Sequence, residues 1–259
     1  MANLEYDPKE DEFIRNIIFE GKVDEYNKLL KLHDRKNKLK KLKRKSPYVI
    51  EFTGTPRTGK TTLINNLNDF FKKGGYKVMV IEEFTTSAKY KKEIYPMLKD
   101  EYKSIINTQI PKYVLLQLED ALKQDVDIII VDRCLFDRAI WADRLYLKDG
   151  FTKEEYDAYL KLYLPIIKEK IDCIIGTYTD PITSLKRDYL ANLSLEKRNF
   201  LNVQNVEEYN TSLNNLKNIS ERENINFHIV DTTDKSQRDI SILVSDIILT
   251  DMEDKYVCK

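Results

Sequence analysis

The chain has 259 residues, 42% of them hydrophobic and 33% charged, and its 43 basic and 43 acidic residues balance to zero. Seven glycines and seven prolines exclude a repetitive or collagen-like chain, and no apolar run reaches the ~20 residues a membrane-spanning helix needs. Three widely spaced cysteines (Cys134, Cys173, Cys258) and two distant histidines (His33, His228) match neither a disulfide framework nor a zinc-binding spacing, so histidine-based metal or triad chemistry is not expected.

Residues 8–45 read as helical, because Phe13, Ile17, Ile18, Val23, Tyr26, Leu29 and Leu30 recur at three- and four-residue spacing, with Gly21 between two helices. The stretch "RKNKLKKLKRK", 35–45, carries eight basic residues and no acidic one, which leaves 35 basic against 43 acidic residues elsewhere. Such a run can meet nucleic acid or an anionic surface, but it lacks interleaved aromatics. It is therefore expected to be a solvated helical face ending in a linker. The opening "MANLEYDPKEDEF" lacks a signal-peptide pattern, and with the cysteine usage it points to the cytoplasm.

From residue 48 short apolar runs alternate with helical stretches. The runs are "YVIEFT" (48–53), "KVMVIEE" (77–83), "DIIIVD" (127–132), "DCIIGTY" (172–178) and "NFHIVD" (226–231). Near-continuous apolar strands separated by helices predict an α/β fold, a doubly wound five-stranded parallel sheet. Ligands of such sheets bind beyond the carboxyl ends of the strands. The expected organisation is a helical, basic N-terminal extension (1–47), one α/β domain (48–250) with a lid at about 181–205, and a tail (251–259).

"GTPRTGKT", 54–61, fits G-x-x-x-x-G-K-[ST] and lies between a strand and an apolar-periodic helix. The loop and the residue after it, Gly54, Thr55, Pro56, Arg57, Thr58, Gly59, Lys60, Thr61 and Thr62, are expected to bind nucleotide. Backbone N–H groups and the helix N-terminus would cradle the phosphates, Lys60 would reach the β- and γ-phosphates, and the Thr61 hydroxyl would ligate Mg²⁺.

A kinase also needs an acceptor-side base, a metal-side acid and mobile cations. Glu82 and Glu83 end the second strand on opposite faces, and Glu83 is slightly preferred as the group that accepts or orients an acceptor proton. Asp132 follows four apolar residues as a Mg²⁺-side acid should, and Arg133 adjoins it. Asp137 and Arg138 come one turn later. Trp141 and Tyr146 are expected mainly in core packing. After the fourth strand, Lys186, Arg187, Lys197 and Arg198 lie on a helix–loop–helix that could close over the phosphates and exclude water.

Together these features resemble the thymidylate kinase and deoxynucleoside kinase group of phosphate-loop kinases. Arg57 stands where thymidylate kinases carry a loop arginine, and Asp132-Arg133 matches their Asp-Arg pair. "DRCLFDRAIWA" is similar to the Glu-Arg-Ser and Asp-Arg arrangement of deoxynucleoside kinases, though one residue shorter. "DPITSLKRDYLANLSLEKR" resembles their lid, and "VEEYNTSL" the helix after it. The resemblance implies that Arg133 contacts phosphates or acceptor, Asp137 the acceptor, and Arg187 and Arg198 the donor phosphates. "IVDTTDK", with Asp231, resembles the turn lining the adenine. Pro56 in place of a loop Asp, Cys134 in place of Tyr or Ser, and the N-terminal extension depart from the group.

The reading is an ATP- and Mg²⁺-dependent kinase of a nucleoside or nucleoside monophosphate, with Lys60, Arg57, Glu83, Arg133, Arg187 and Arg198 as catalytic residues. The resemblance also implies pairing as a homodimer. Two alternatives stay open. One is a regulatory ATP-binding module whose residues 35–45 dock a protein or nucleic acid. The other is a kinase of a sugar, an antibiotic or another small acceptor.

Overall fold

The computed structural model describes residues 12, 14–18, 20, 22–42, 44–86, 103–192 and 201–257. Five parallel strands, β1 (Tyr48–Gly54), β2 (Val78–Ile81), β3 (Ile128–Asp132), β4 (Cys173–Tyr178) and β5 (Phe227–Asp231), form one sheet in the order β2-β3-β1-β4-β5. β1 is the centre, with Phe52 level with Asp132 of β3 and Gly54 level with Thr177 of β4. Both faces of β1 are covered, which is why its sequence is apolar throughout except at Glu51 and Thr53.

The described α-helices are α1 (Val23–Lys40), α2 (Lys60–Lys73), α3 (Lys103–Leu122), α4 (Leu135–Leu147), α5 (Lys153–Lys170), α6 (Pro181–Asn192), α7 (Val203–Glu223) and α8 (Gln237–Tyr256), with a π-helical turn at Ile14–Ile18 and a 3-10 turn at Phe84–Thr86. They cover the sheet in two layers. Val49 of β1 faces a core with Leu118 of α3, Phe136 of α4, Ile167 of α5 and Leu213 of α7. Tyr48, Ile50 and Phe52 face the other way, toward Leu32 and Leu39 of α1, Leu67 and Phe71 of α2, and Ile248 of α8. This is the period-two alternation of a strand, with both faces apolar.

Local signals set the helix starts. Thr152 and Glu155 form a reciprocal capping box at α5. Asn202 accepts from the Asn205 amide at α7. Pro181 opens α6, where its missing N–H leaves nothing unsatisfied. None of the described helices is long and apolar enough to cross a membrane.

The basic run differs from the expected solvated face and linker. Lys36 is buried; its Nζ donates to the Phe70 carbonyl at 2.8 Å and lies 4.2 Å from the Phe70 ring centroid. Arg35 makes a two-pronged contact with Glu253 at 2.9 and 2.7 Å and also pairs with Asp246. Lys40 and Arg44 both meet Asp127, at 2.6 and 3.4 Å. The physical reason is charge complementarity: α8 and the turn before β3 present carboxylates to this face, while Lys38 and Lys41 stay outside. The tail boundary shifts as well. α8 continues to Tyr256 because Met252 is a fully buried core residue.

Candidate active site

The phosphate loop occupies the turn from β1 to α2. Gly54 and Gly59 take positive φ angles of 124° and 87°, which L side chains rarely adopt. Space is closed at Gly54, where a Cβ would come within 2.1 Å of the Thr177 carbonyl oxygen, whereas at Gly59 it would meet the movable end of the Gln237 side chain at 1.9 Å. Arg57 also has a positive φ, 60°. Hydroxyls lace the loop to its neighbours. Thr55 donates to Asn210 Oδ1 at 2.5 Å, Thr58 pairs with Thr177 at 2.6 Å, and Ser184 of α6 donates to the Pro56 carbonyl at 2.9 Å.

The Lys60 ammonium lies inside this cradle and donates to the carbonyls of Gly54 and Thr55 at 3.0 and 2.9 Å. Burial, then the like charge of Arg133, pushes its pKa down to about 7, against the pull of Asp132, Asp137 and Glu83. Thr61 and Thr62 are exposed on the first turn of α2. Arg57 Nε donates to Asp188 of α6 at 2.5 Å.

Beside the loop, Arg133 holds together what the sequence separates. Its φ is 61°, a strained value for a residue with a Cβ. The Arg133 amide donates to the Phe52 carbonyl at 2.8 Å. The guanidinium reaches Gly54 O at 3.1 Å, Tyr209 Oη at 3.1 Å and Asp137 Oδ1 at 2.6 Å. Its Nε faces Glu83 Oε2 at 3.5 Å. Glu82, by contrast, is exposed; of the two strand-end carboxylates, Glu83 turns toward the site. The Thr85 hydroxyl donates to the other Glu83 oxygen at 2.6 Å.

Asp137 lies behind Arg133. It is fully buried, and both of its oxygens are occupied. Oδ1 accepts from Arg133, from Thr53 at 2.6 Å and from Tyr209 at 2.6 Å, while Oδ2 pairs with Arg138. Burial opposes its charge, but Arg133 and Arg138 win, and its pKa falls well below the usual carboxylate range. In this arrangement Asp137 positions Arg133. Asp132 ends β3; desolvation raises its pKa despite Lys60 and Arg133 nearby, and its Oδ1 is buried without a hydrogen-bond partner. An orphaned carboxylate oxygen beside a phosphate loop is where a Mg²⁺-side acid would be.

Glu51 is the strongest feature that sequence reading missed. It is fully buried in mid-strand and accepts the amides of Cys134 (2.9 Å), Phe136 (3.0 Å) and Asp137 (2.8 Å). These are orphan donors around the N-terminus of α4, so Glu51 fixes the helix that carries Asp137. Burial drives its pKa up to about 8 against the opposing pull of those amides. Tyr209 and Asn210, both on α7, were also missed as site residues. Both lie in the stretch "VEEYNTSL" that resembles the helix after the lid, on a buried face that they share with Ser212 and Ser220 as well as Val206, Leu213 and Leu216.

Arg187, expected to aim at donor phosphates, donates to the carbonyls of Thr232 and Thr233 at 2.7 and 3.2 Å. It ties α6 to the turn after β5. Asp231 in that turn is exposed, and its Oδ1 accepts from the Thr233 amide at 2.9 Å. Lys186 is exposed; Lys197 and Arg198 lie outside the described residues. Trp141 is half-buried beneath Arg144, whose guanidinium is 4.5 Å from its ring, and Tyr146 stacks on Tyr156 at 5.0 Å.

No curated protein matches the chain. Among solved structures it is similar to a deoxyadenosine kinase from M.mycoides, solved with dCMP and a flexible dCDP bound. The TM-score is 0.57 and the identity 19%, over 78% of this chain and 99% of that one. At this identity the likeness is one of fold alone. A family model described as an AAA domain matches residues 49–238. That stretch runs from β1 to the start of α8 and contains the phosphate loop, the Arg133 cluster and α6; the chain belongs to this AAA domain family.

Proposed function

We propose that the protein is an ATP- and Mg²⁺-dependent kinase that transfers a γ-phosphoryl group to a nucleoside or nucleoside monophosphate. The observation that carries this reading is the array Glu83–Arg133–Asp137 beside the phosphate loop, with Arg133 touching both Glu83 and the Gly54 carbonyl. A loop that only bound nucleotide would have no use for a carboxylate and an arginine gathered at the acceptor side. The fold of the deoxyadenosine kinase supports the acceptor class.

In this reading Lys60 exchanges the carbonyls of Gly54 and Thr55 for phosphate oxygens. Its charge and those of Arg57 and Arg133 stabilise the transferring group by fixed electrostatics. Glu83 orients an acceptor hydroxyl and takes its proton; with a monophosphate acceptor it would bind the sugar instead. Thr61 and Asp132 would hold Mg²⁺, which neutralises phosphate charge when bound. Residues 181–205 act as a lid, with Arg57–Asp188 and Ser184–Pro56 joining α6 to the loop and Arg198 as a further donor-phosphate contact.

The test is ADP release with ATP and Mg²⁺ over a panel of nucleosides, nucleoside monophosphates and sugars. Stimulation confined to one nucleoside or nucleotide class, and lost in Lys60→Ala, is the expected result. Stimulation by a sugar alone would reassign the acceptor, and none at all would sink the kinase reading.

A further inference from the structure

Three side chains that the nucleotide site does not use meet near the opposite end of the sheet. Cys173 opens β4, His228 is the second residue of β5, and Asp251 lies on the last turns of α8. Gly54 and Thr177, by contrast, mark the phosphate-loop end of the same strands. One ligand atom from each of the three residues lies within 4.8 Å of the others. His228 Nε2 is 2.9 Å from Asp251 Oδ2, and the Cys173 sulfur lies within 4.8 Å of both groups. Among the described residues this is the one such group of cysteine, histidine and carboxylate side chains.

The plainer account is a His–Asp ion pair next to a buried thiol. The chemistry of the donor set argues further. A thiol, an imidazole and a carboxylate converging from three elements are the three ligand types that zinc takes, at about 2.3 Å to sulfur and 2.0–2.2 Å to nitrogen or oxygen. Those bond lengths place tetrahedral ligands roughly 3.3–3.7 Å apart, within small side-chain rotations of the observed spacing. Soft sulfur with imidazole selects Zn²⁺ over the hard cations Mg²⁺ and Ca²⁺. Cys173 is fully buried, while His228 and Asp251 are partly exposed, which leaves solvent-side room for a fourth ligand.

We propose that Cys173, His228 and Asp251 form a site for one thiophilic divalent cation, Zn²⁺ foremost, that fastens α8 to β4 and β5. Spacing in the sequence excluded zinc chemistry because the three residues belong to separate elements; the parallel sheet brings them together. The proposal is independent of the phosphate acceptor.

The test is titration of the chelator-treated full chain with Co²⁺, followed by optical absorption and then by displacement with Zn²⁺. The expected result is about one Co²⁺ per chain, with a near-ultraviolet thiolate-to-cobalt band and strong visible bands of a four-coordinate ion. Cys173→Ser removes the thiolate band. His228→Ala, at a partly exposed position that leaves the core intact, weakens Co²⁺ binding roughly tenfold or more. Thermal unfolding of the metal-free chains confirms that the variants fold. Absence of a thiolate band in the wild type overturns the site, as does a band that survives Cys173→Ser and so arises from Cys134 or Cys258. Undiminished affinity in a folded His228→Ala chain, which leaves only the ion-pair account, overturns it equally.

Discussion

Arg133, just before α4, and Asp137, in its first turn, form an ion pair, 2.6 Å between Nη1 and Oδ1, with Asp137 fully buried and Arg133 nearly so. The pair does two things. It holds Arg133 against the phosphate loop, and it leaves the Arg133 Nε free to face Glu83 at 3.5 Å. In the proposed reading Asp137 serves to hold the cluster and Glu83 to meet the acceptor, and experiment separates the two roles.

Asp137→Ala leaves Arg133 and Arg138 buried without their carboxylate. Removing one partner of a buried pair costs about 3–5 kcal/mol, so the urea midpoint should fall sharply. Glu83→Gln, at a partly exposed strand end, should change stability by less than about 1 kcal/mol while lowering turnover roughly 10²- to 10⁴-fold with a hydroxyl acceptor. Equal stability losses in the two variants would contradict this division.

Glu51→Gln tests the buried helix anchor. The amide replaces one acceptor oxygen with a donor, so one of the three N–H groups loses its partner, at about 1–3 kcal/mol. The pH dependence has a definite sign. The pKa of Glu51 is raised from 4.5 to about 8, so the folded state binds the proton more tightly than the unfolded one. Its contribution is fully present below the unfolded value and is lost as pH rises through about 8, with a limiting slope of about 1.4 kcal/mol per pH unit. Gln does not titrate. Denaturation at several pH values should therefore show the wild-type advantage over Glu51→Gln shrinking from pH 5 to pH 8; a constant or growing advantage would contradict it.

Gly59→Ala should weaken nucleotide binding, chiefly because the φ of 87° disfavours any side chain and also because the new Cβ displaces the end of the Gln237 side chain. Adding Gln237→Ala removes the overlap but not the backbone strain of about 1–3 kcal/mol. The double variant should recover binding only in part, as read by equilibrium dialysis of ATP. Full recovery would show that the glycine serves space alone.

Much of this architecture could be read from residue order. Buried parallel strands must be apolar on both faces, so "DIIIVD" and "DCIIGTY" stood out, and the loop glycines announced themselves through the lysine and threonine that follow. Glu83, Arg133 and Lys60 could be named as candidates because they follow strands or open a helix. Glu51 was not, because a carboxylate inside an apolar strand is explained only by amides distant in sequence. The basic run misled for a related reason: its partners Asp127, Asp246 and Glu253 are far along the chain. Asp137 looked like an acceptor ligand from its place on α4, and only packing reveals that Thr53, Tyr209 and two arginines use it up.

The most direct measurement is the fate of the γ-phosphate. The purified chain would be incubated with γ-labelled ATP, Mg²⁺ and the best acceptor from the nucleoside panel, and the products separated. The account predicts label on the nucleoside or nucleotide acceptor, with none transferred by Lys60→Ala. Label appearing only as inorganic phosphate, whatever acceptor is present, would make the protein a hydrolase or a nucleotide-operated switch and contradict the account.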